Sequence, residues 1–332
     1  MSDRFLIVRT SSLGDIIHAL PALAALRKHK PEAEIRWIIG DKGRAILDWV
    51  EGLDGIVMTG SPGWRRSIRG RDQTSLDFQG LLKSGLIGFL SGAKRRIGFH
   101  RDNLREPAVR IFYTEHAAPY PETEHVIRKN IHLLTVLGIT ETDIAFPLRV
   151  PDPARKAAHE TLRGLGWDGR ARIVVFNVGA AWPTKRWFPE RWRETIAGIA
   201  RPDRFPVLLW GSPDEKALAE EVAGAEHPRP TAIVPFLTIQ ESMALIASAR
   251  LLVSGDTFAL QAAAALDVPI VGLFGPTDPR RNGPFRERDK VIHPELACNR
   301  CYKRACDTIE CLKAITAGEV AARIEEALAE HA

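Results

Sequence analysis

Short apolar runs alternate with helix-periodic stretches along almost the whole chain, and this alternation restricts the fold more than any other feature. In the first half the runs are Phe5–Val8, Ile35–Ile39, Gly55–Met58, Ser75–Phe78 and Arg96–Phe99. Continuous apolar runs of this length predict parallel strands buried on both faces. Helical stretches are predicted near 16–29, 42–49, 80–91 and 125–137, and Pro21 should kink the first or mark a restart. Pro147, Pro151 and Pro153 crowd a seven-residue stretch that reads as a linker. The alternation then resumes with Ile173–Asn177, Pro206–Trp210, Thr231–Val234, Leu251–Ser254 and Ile270–Phe274 as strands. Helices are expected near 153–165, 189–200, 213–224, 239–248 and 258–266, with a last amphipathic helix over 316–330. The expected fold class is α/β: two doubly wound, Rossmann-like domains, 1–150 and 151–332, with a cleft between them.

Charge is unevenly placed. The chain holds 46 Lys+Arg and 41 Asp+Glu among 332 residues. Residues 1–150 carry 22 and 17 of these, so the whole excess of +5 lies there. Between residues 60 and 110 there are 11 basic side chains, among them Arg65, Lys83 and Arg105, against 4 acidic ones. Any one of them is explained by a solvated surface, but the one-sided cluster points to an anionic partner. Nucleic acid is disfavoured, since no recognised module is present and aromatics do not interleave with the basic residues. With no apolar run long enough to span a bilayer and no signal-peptide pattern, the expected location is the cytoplasm.

The loop after the first strand is the leading candidate site. Val8-Arg9-Thr10-Ser11-Ser12-Leu13-Gly14-Asp15 carries a carboxylate to the mouth of a helix, at the sheet edge where open α/β folds bind ligands. Asp15 could be a base there, or a helix cap, and the two roles are compatible. Ser11 and Ser12 read as turn residues, because no nucleophile-elbow pattern surrounds them. His18 shares a helical face with Asp15 and could orient it or contact a substrate. No G-x-G-x-x-G occurs in this loop, which disfavours a dehydrogenase-type dinucleotide site.

Three strand–loop–helix junctions in the second half should gather at one sheet edge. One holds Lys185 and Arg186 before a helix, suited to a phosphate. Another ends in Asp214 and Glu215, where a carboxylate could accept hydrogen bonds from a ribose. The third holds Asp256 and Thr257 ahead of a helix whose free N–H groups suit a pyrophosphate. Each alone is explained by ordinary capping. Cys298, Cys301, Cys306 and Cys311 form a C-x₂-C-x₄-C-x₄-C cluster. Such a set can close into a tetrahedral structural site for Zn or Fe, with reduced structural thiols as the alternative.

Taken together, these segments resemble the heptosyltransferases of glycosyltransferase family 9, most nearly those that add the first heptose to the Kdo of the lipopolysaccharide inner core. The resemblance runs over Val8–Leu23, Asp77–Ser84, Arg105-Glu106-Pro107 with Phe112-Tyr113, Lys185 before Trp187, Trp210–Glu215, Asp256-Thr257 and Gly275–Pro279. It implies a GT-B architecture, an acceptor-binding first domain and a nucleotide-sugar-binding second domain. It further implies inversion by direct displacement from ADP-heptose without a catalytic metal. By position, Asp15 would be the general base, Lys185 would offset the diphosphate, Glu215 would hold the nucleoside, and Asp256 and Thr257 would contact sugar and phosphates. Ser12, Gly14, His18, Arg65, Lys83 and Arg105 would face the anionic Kdo–lipid A acceptor, with peripheral contact at the inner membrane.

The chain departs from the family's pattern after Asp256-Thr257, where Phe258 and Gln261 replace a glycine and a histidine. That keeps a second reading in view: another family 9 activity, adding a later core heptose or a heptose on protein. A sugar-nucleotide epimerase or a non-catalytic nucleotide- or metal-binding protein would leave the basic segment or Asp15 without a role.

Overall fold

The computed structural model describes residues 3–224, 231–286 and 289–330. The chain divides into two compact units, Met1–Arg149 and Val150–Ala332. In the first, strands β1 (Arg4–Val8), β2 (Glu34–Ile39), β3 (Gly55–Met58), β4 (Thr74–Asp77), β5 (Arg95–Gly98) and β6 (Glu115–His116) form one parallel sheet. Its order is β3-β2-β1-β4-β5-β6. The second unit repeats the plan with β7 (Arg172–Asn177), β8 (Arg204–Leu209), β9 (Ala232–Ile233), β10 (Leu251–Gly255), β11 (Ile270–Leu273) and β12 (Lys290–Ile292). Their order is β12-β11-β10-β7-β8-β9, the same winding relative to the first strand of the unit.

This winding fixes where chemistry can gather. β1 and β4 are neighbours in the first sheet, and the chain leaves them toward opposite sides. The loops after them therefore part and open a crevice at the carboxyl edge. β7 and β10 make the equivalent point in the second sheet. In register, Val8 lies opposite both Ile38 and Asp77, and Asn177 lies opposite Ser254 and Leu209. The central strands are buried end to end: Leu6, Ile7, Val8, Val174, Val175 and Val253 have no exposed surface. That matches their near-continuous apolar sequences.

Two local expectations change. The helix Leu13–His29 runs through Pro21 without a restart. The proline is buried in the helix's packed face, and tertiary packing there outweighs the single hydrogen bond its missing N–H forfeits. The proline-rich linker is not a free spacer either. Leu148 bridges to Val50, with Glu51 N–H donating to Pro147 O at 2.8 Å. The helix Asp152–Gly164 begins immediately afterwards with Pro153 in its first turn. No helix among the described residues is long and apolar enough to cross a membrane.

Candidate functional site

In the first unit the loops after β1 and β4 are tied together. Thr10 donates both its backbone N–H and its hydroxyl to Gln79 Oε1, each at 2.8 Å. The Arg9 guanidinium donates to the Phe78 carbonyl and pairs with Asp15 at 2.8 Å. Gly80 turns the chain out of this crevice with φ of +69°, a conformation that favours glycine.

Asp15 caps the helix from its N3 position, as part of a capping box, and is not itself the N-cap residue. Ser12 holds the N-cap position, and Asp15, three residues on, accepts the Ser12 N–H at 3.1 Å and its hydroxyl at 2.8 Å. Burial pushes the Asp15 carboxyl up, but Arg9, His18 and the two Ser12 donors outweigh it and hold the group below the ordinary aspartate value. The side chain keeps 38 % of its surface exposed, against 12 % for Arg9. The result is an ionised, reachable carboxylate at the switch point.

The other expected acceptor residues divide. Gly14 lies in the first turn of the same helix beside Asp15. Arg65, Lys83 and Arg105 are exposed on segments that leave β3, β4 and β5 at the carboxyl edge. The Arg65 guanidinium lies 5.0 Å from the Trp64 ring centre. His18 is buried and packs edge-on against His125, with ring centres 6.2 Å apart. Its carbonyl accepts from Asn130 at 2.9 Å. His18 therefore touches Asp15 through charge, from inside the helix pair, and presents little surface to a ligand.

The second unit builds its site at the β7/β10 point. Asn177, the last residue of β7, donates to Ser254 Oγ at 3.1 Å and to Thr257 Oγ1 at 3.2 Å. Thr257 sits at the N-cap of the helix Phe258–Ala265. Lys185 ends a short 3-10 turn after β7, and its ammonium reaches Asp256 Oδ2 at 2.6 Å and the Asp256 carbonyl at 3.2 Å. The ammonium also lies 4.4 Å from the Trp182 ring centre, and the Arg304 guanidinium lies 4.9 Å from that same centre. Arg186 is turned back onto its own loop, donating to Ala180 O at 2.8 Å.

Glu215 accepts the Gly211 N–H at 2.7 Å and lies over Gly179, where a Cβ would come within 2.2 Å of its Cδ. It thus joins the loops after β7 and β8. A separate cavity of about 700 Å³ opens beyond β8, lined in part by Trp210, Lys216, Val234 and Phe236, and it excludes Lys185 and Asp256.

Gln261 does not face this site. It is buried, and its amide donates to Asn282 O at 2.7 Å, holding the helix Phe258–Ala265 to the segment after β11. Phe258 is half-buried in that helix's first turn. The replaced imidazole is therefore a structural tie here.

Among the described residues, no three His, Cys, Asp or Glu side chains stand together as a metal-holding group. Cys298, Cys301 and Cys306 are exposed and Cys311 is buried. Cys298 and Cys301 lie near enough to Cys311 to act on its thiol through charge. Cys306 is turned toward the Ile309 N–H at 3.4 Å, which with Thr308 draws its thiol down. Cys311 packs toward Gly275, and burial pushes its thiol up.

Sequence reasoning passed over Arg9, Thr10, Gln79 and Asn177. Each lies directly after or at the end of a switch-point strand, the one signal that could have found them.

Comparison with known proteins finds relatives and similar folds along most of the chain. The family model described as glycosyltransferase family 9 (heptosyltransferase) matches residues 64–311. Lipopolysaccharide heptosyltransferase 1 of Pseudomonas aeruginosa is 29% identical over 321 residues, covering 91% of this chain and 87% of the relative. The Escherichia coli K12 protein of the same name is 27% identical, covering 87% of this chain and 92% of the relative. A family 9 glycosyl transferase from Veillonella parvula superposes with a TM-score of 0.85 at 20% identity, covering 99% and 98% of the two chains. An E. coli heptosyltransferase solved with ADP gives 0.78 at 24%, covering 98% and 99%. The twin sheets have the GT-B architecture of those heptosyltransferase structures.

Proposed function

The chain belongs to glycosyltransferase family 9, the heptosyltransferase family, and on that premise we propose that it transfers heptose from ADP-heptose to the Kdo of the lipopolysaccharide inner core. The observation that carries the reading is Asp15, an ionised carboxylate reachable at the switch point of the first unit. In the proposed reaction Asp15 takes the proton of the acceptor hydroxyl as its oxygen attacks the anomeric carbon. The bond from that carbon to the diphosphate breaks, its electron pair leaves with ADP, and the configuration inverts. Arg9 keeps the base charged and weakens it, so proton transfer comes late and positioning carries more of the acceleration than basicity.

On the donor side, Lys185 and the free N–H groups at the head of the helix Phe258–Ala265 would stabilise the charge growing on ADP, and the reading assigns that task to no metal. Glu215 would hold the nucleoside, and Asp256 and Thr257 would contact sugar and phosphates. Support comes from the names of the full-length relatives and from an E. coli neighbour solved with ADP-2-deoxy-2-fluoro heptose. The exposed Arg65, Lys83 and Arg105 suit an anionic acceptor. A lipid-borne acceptor would set the reaction at the cytoplasmic face of the inner membrane.

The test is nucleotide release from a panel of ADP- and UDP-sugars, with and without Kdo–lipid A. ADP should appear from ADP-heptose only when the acceptor is present. Release without acceptor would mean hydrolysis, and no turnover of any ADP-sugar would remove the donor assignment.

A further inference from the structure

The helix Leu82–Leu90 carries apolar side chains on two faces. Ser84, Gly85, Ile87 and Gly88 are buried on one, and Ile87 joins the core cluster of Leu6, Val8 and Ile38. On the opposite face Leu82, Leu86, Phe89 and Leu90 are exposed, at 42, 42, 53 and 37 % of their surface. Their i, i+4, i+7, i+8 spacing makes one continuous stripe. Ile111, exposed at 76 %, extends it from the adjoining 3-10 turn Pro107–Phe112. The two elements are locked together: a Cβ at Gly85 would meet Val109 at 2.4 Å, and the Phe89 and Phe112 rings lie 5.8 Å apart. Five of the eight large apolar side chains exposed among the described residues lie on this one surface. Such concentration marks an interaction site.

Charge says what it meets. Between residues 82 and 112 there are seven basic side chains, Lys83, Lys94, Arg95, Arg96, Arg101, Arg105 and Arg110, against Asp102 and Glu106. Both acids are engaged: Glu106 accepts the Leu82 N–H at 2.8 Å, and Asp102 lies 3.4 Å from Arg101. Lys83, Lys94 and Arg110 are exposed, and the Arg96 guanidinium lies 5.7 Å from the Phe89 ring centre.

The geometry points to this helix and turn as a surface that docks on an anionic phospholipid bilayer. Leu82, Leu86, Phe89, Leu90 and Ile111 enter the headgroup boundary while the surrounding basic residues meet lipid phosphates. The helix starts three residues after Gln79, which bonds Thr10 beside Asp15. Docking therefore brings the candidate base toward the lipid surface. The inference rests on the transferase reading only in taking that surface to be the one that carries the acceptor.

The experiment is sedimentation of the full chain with vesicles of phosphatidylethanolamine and phosphatidylglycerol, and with vesicles of phosphatidylcholine, in the absence of donor and acceptor. The chain should pellet with the anionic vesicles, less so at high salt, and stay soluble with phosphatidylcholine. Leu86→Glu and Ile111→Glu should each weaken binding at least about tenfold, the effect of withdrawing one inserted side chain. Lys94→Glu should weaken it and reduce its salt dependence. Circular dichroism and thermal melting of the variants establish that they are folded. Loss of binding in Leu86→Glu together with an unchanged rate on a lipid-free Kdo acceptor would separate docking from chemistry.

The proposal is overturned if the unaltered chain ignores anionic vesicles or if the folded variants bind as well as it does. It is equally overturned if the chain is a dimer that Leu86→Glu dissociates, which would give the stripe to a second copy. Failure of heptose transfer would leave the vesicle result standing and would count against the transferase reading alone.

Discussion

Lys185 Nζ lies 2.6 Å from Asp256 Oδ2, in a pair whose side chains keep only 14 % and 9 % of their surface exposed. The two residues come from loops after β7 and β10, 71 positions apart in sequence. The same ammonium also bonds the Asp256 carbonyl and lies on the Trp182 ring. Lysine has three donors, so two point at Asp256 and one remains for a ligand. Asp256 thus aims the cation, and Trp182 limits where it can swing.

Removing the cation should therefore cost both chemistry and stability. Lys185→Met is expected to lower kcat/KM for ADP-heptose by about 10²-fold or more, the size of losing one preorganised electrostatic contact. It also strands a mostly buried carboxylate, with a stability cost of up to about 3–5 kcal/mol. The double variant Lys185→Met/Asp256→Leu should recover most of the stability and none of the activity. Steady-state kinetics and urea unfolding of the three variants check this. Stability unaffected by the single change would mean that the pair does not form in solution.

Both sheets were largely legible before the structure, because buried parallel strands read as continuous apolar runs. The two strands that escaped are β6 and β12. Glu115-His116 and Lys290–Ile292 are short, and each pairs on one side only. Neither needs a run of apolar residues, so neither stands out. In the site, Asp15, Lys185, Glu215, Asp256 and Thr257 could be found from their positions after strands. Their partners could not. The Thr10–Gln79 and Asn177–Thr257 bonds join residues 69 and 80 positions apart, and only the strand order reveals that those loops meet. The buried role of Gln261 was hidden for the same reason, since Asn282 becomes its neighbour only once β10 and β11 pair.

Gly179 gives a prediction confined to the proposed nucleoside contact of Glu215. In Gly179→Ala the new methyl would meet the Glu215 side chain at 2.2–2.5 Å, the movable end of a flexible residue. The carboxylate should swing away from the Gly211 N–H while the fold survives. Losing one charge-assisted hydrogen bond is worth about 1.5–3 kcal/mol, hence a rise of about tenfold or more in KM for ADP-heptose with kcat little changed. Donor-saturation kinetics read this directly. An unchanged KM would remove Glu215 from the donor site.

Asp77 closes the end of β4 inside the first unit. It accepts from the N–H groups of Gln79 and Gly80 at 2.8 and 3.0 Å, and from the Ser84 and Tyr113 hydroxyls at 2.8 Å each. Asp77→Leu should cost about 3 kcal/mol or more, at about 1–3 kcal/mol for each donor left without an acceptor. Asp77→Asn should stay within about 1 kcal/mol, because hydroxyls can turn to accept from the new amide. Burial raises the Asp77 carboxyl despite its four donors, so on raising the pH the unfolded chain loses this proton first. The group's contribution is full below the ordinary aspartate value and declines as pH climbs through the raised one. The Asp77→Asn variant lacks that decline. Urea midpoints across the acid range should shift in its favour relative to the unaltered chain as pH increases.

Arg9 and Asp15 yield the sharpest test of the proposed base. Asp15→Asn keeps the shape of the group and should still accept from Ser12, so donor affinity should stay within a few-fold while kcat falls by about 10²–10⁴-fold, the usual worth of a positioned base. In the unaltered chain Arg9, His18 and Ser12 hold the Asp15 carboxyl below its ordinary value. Activity should therefore be flat through neutral and mildly acid pH, with the acid limb of kcat/KM below the ordinary aspartate value. Arg9→Gln removes the charge that most opposes burial, and the Asp15 carboxyl should rise. The acid limb should then move to higher pH, with a small gain in intrinsic basicity once the group is ionised. An acid limb in the same place in both proteins would show that the titrating base is another residue, and would return Asp15 to the role of an N3 residue bonded to Ser12.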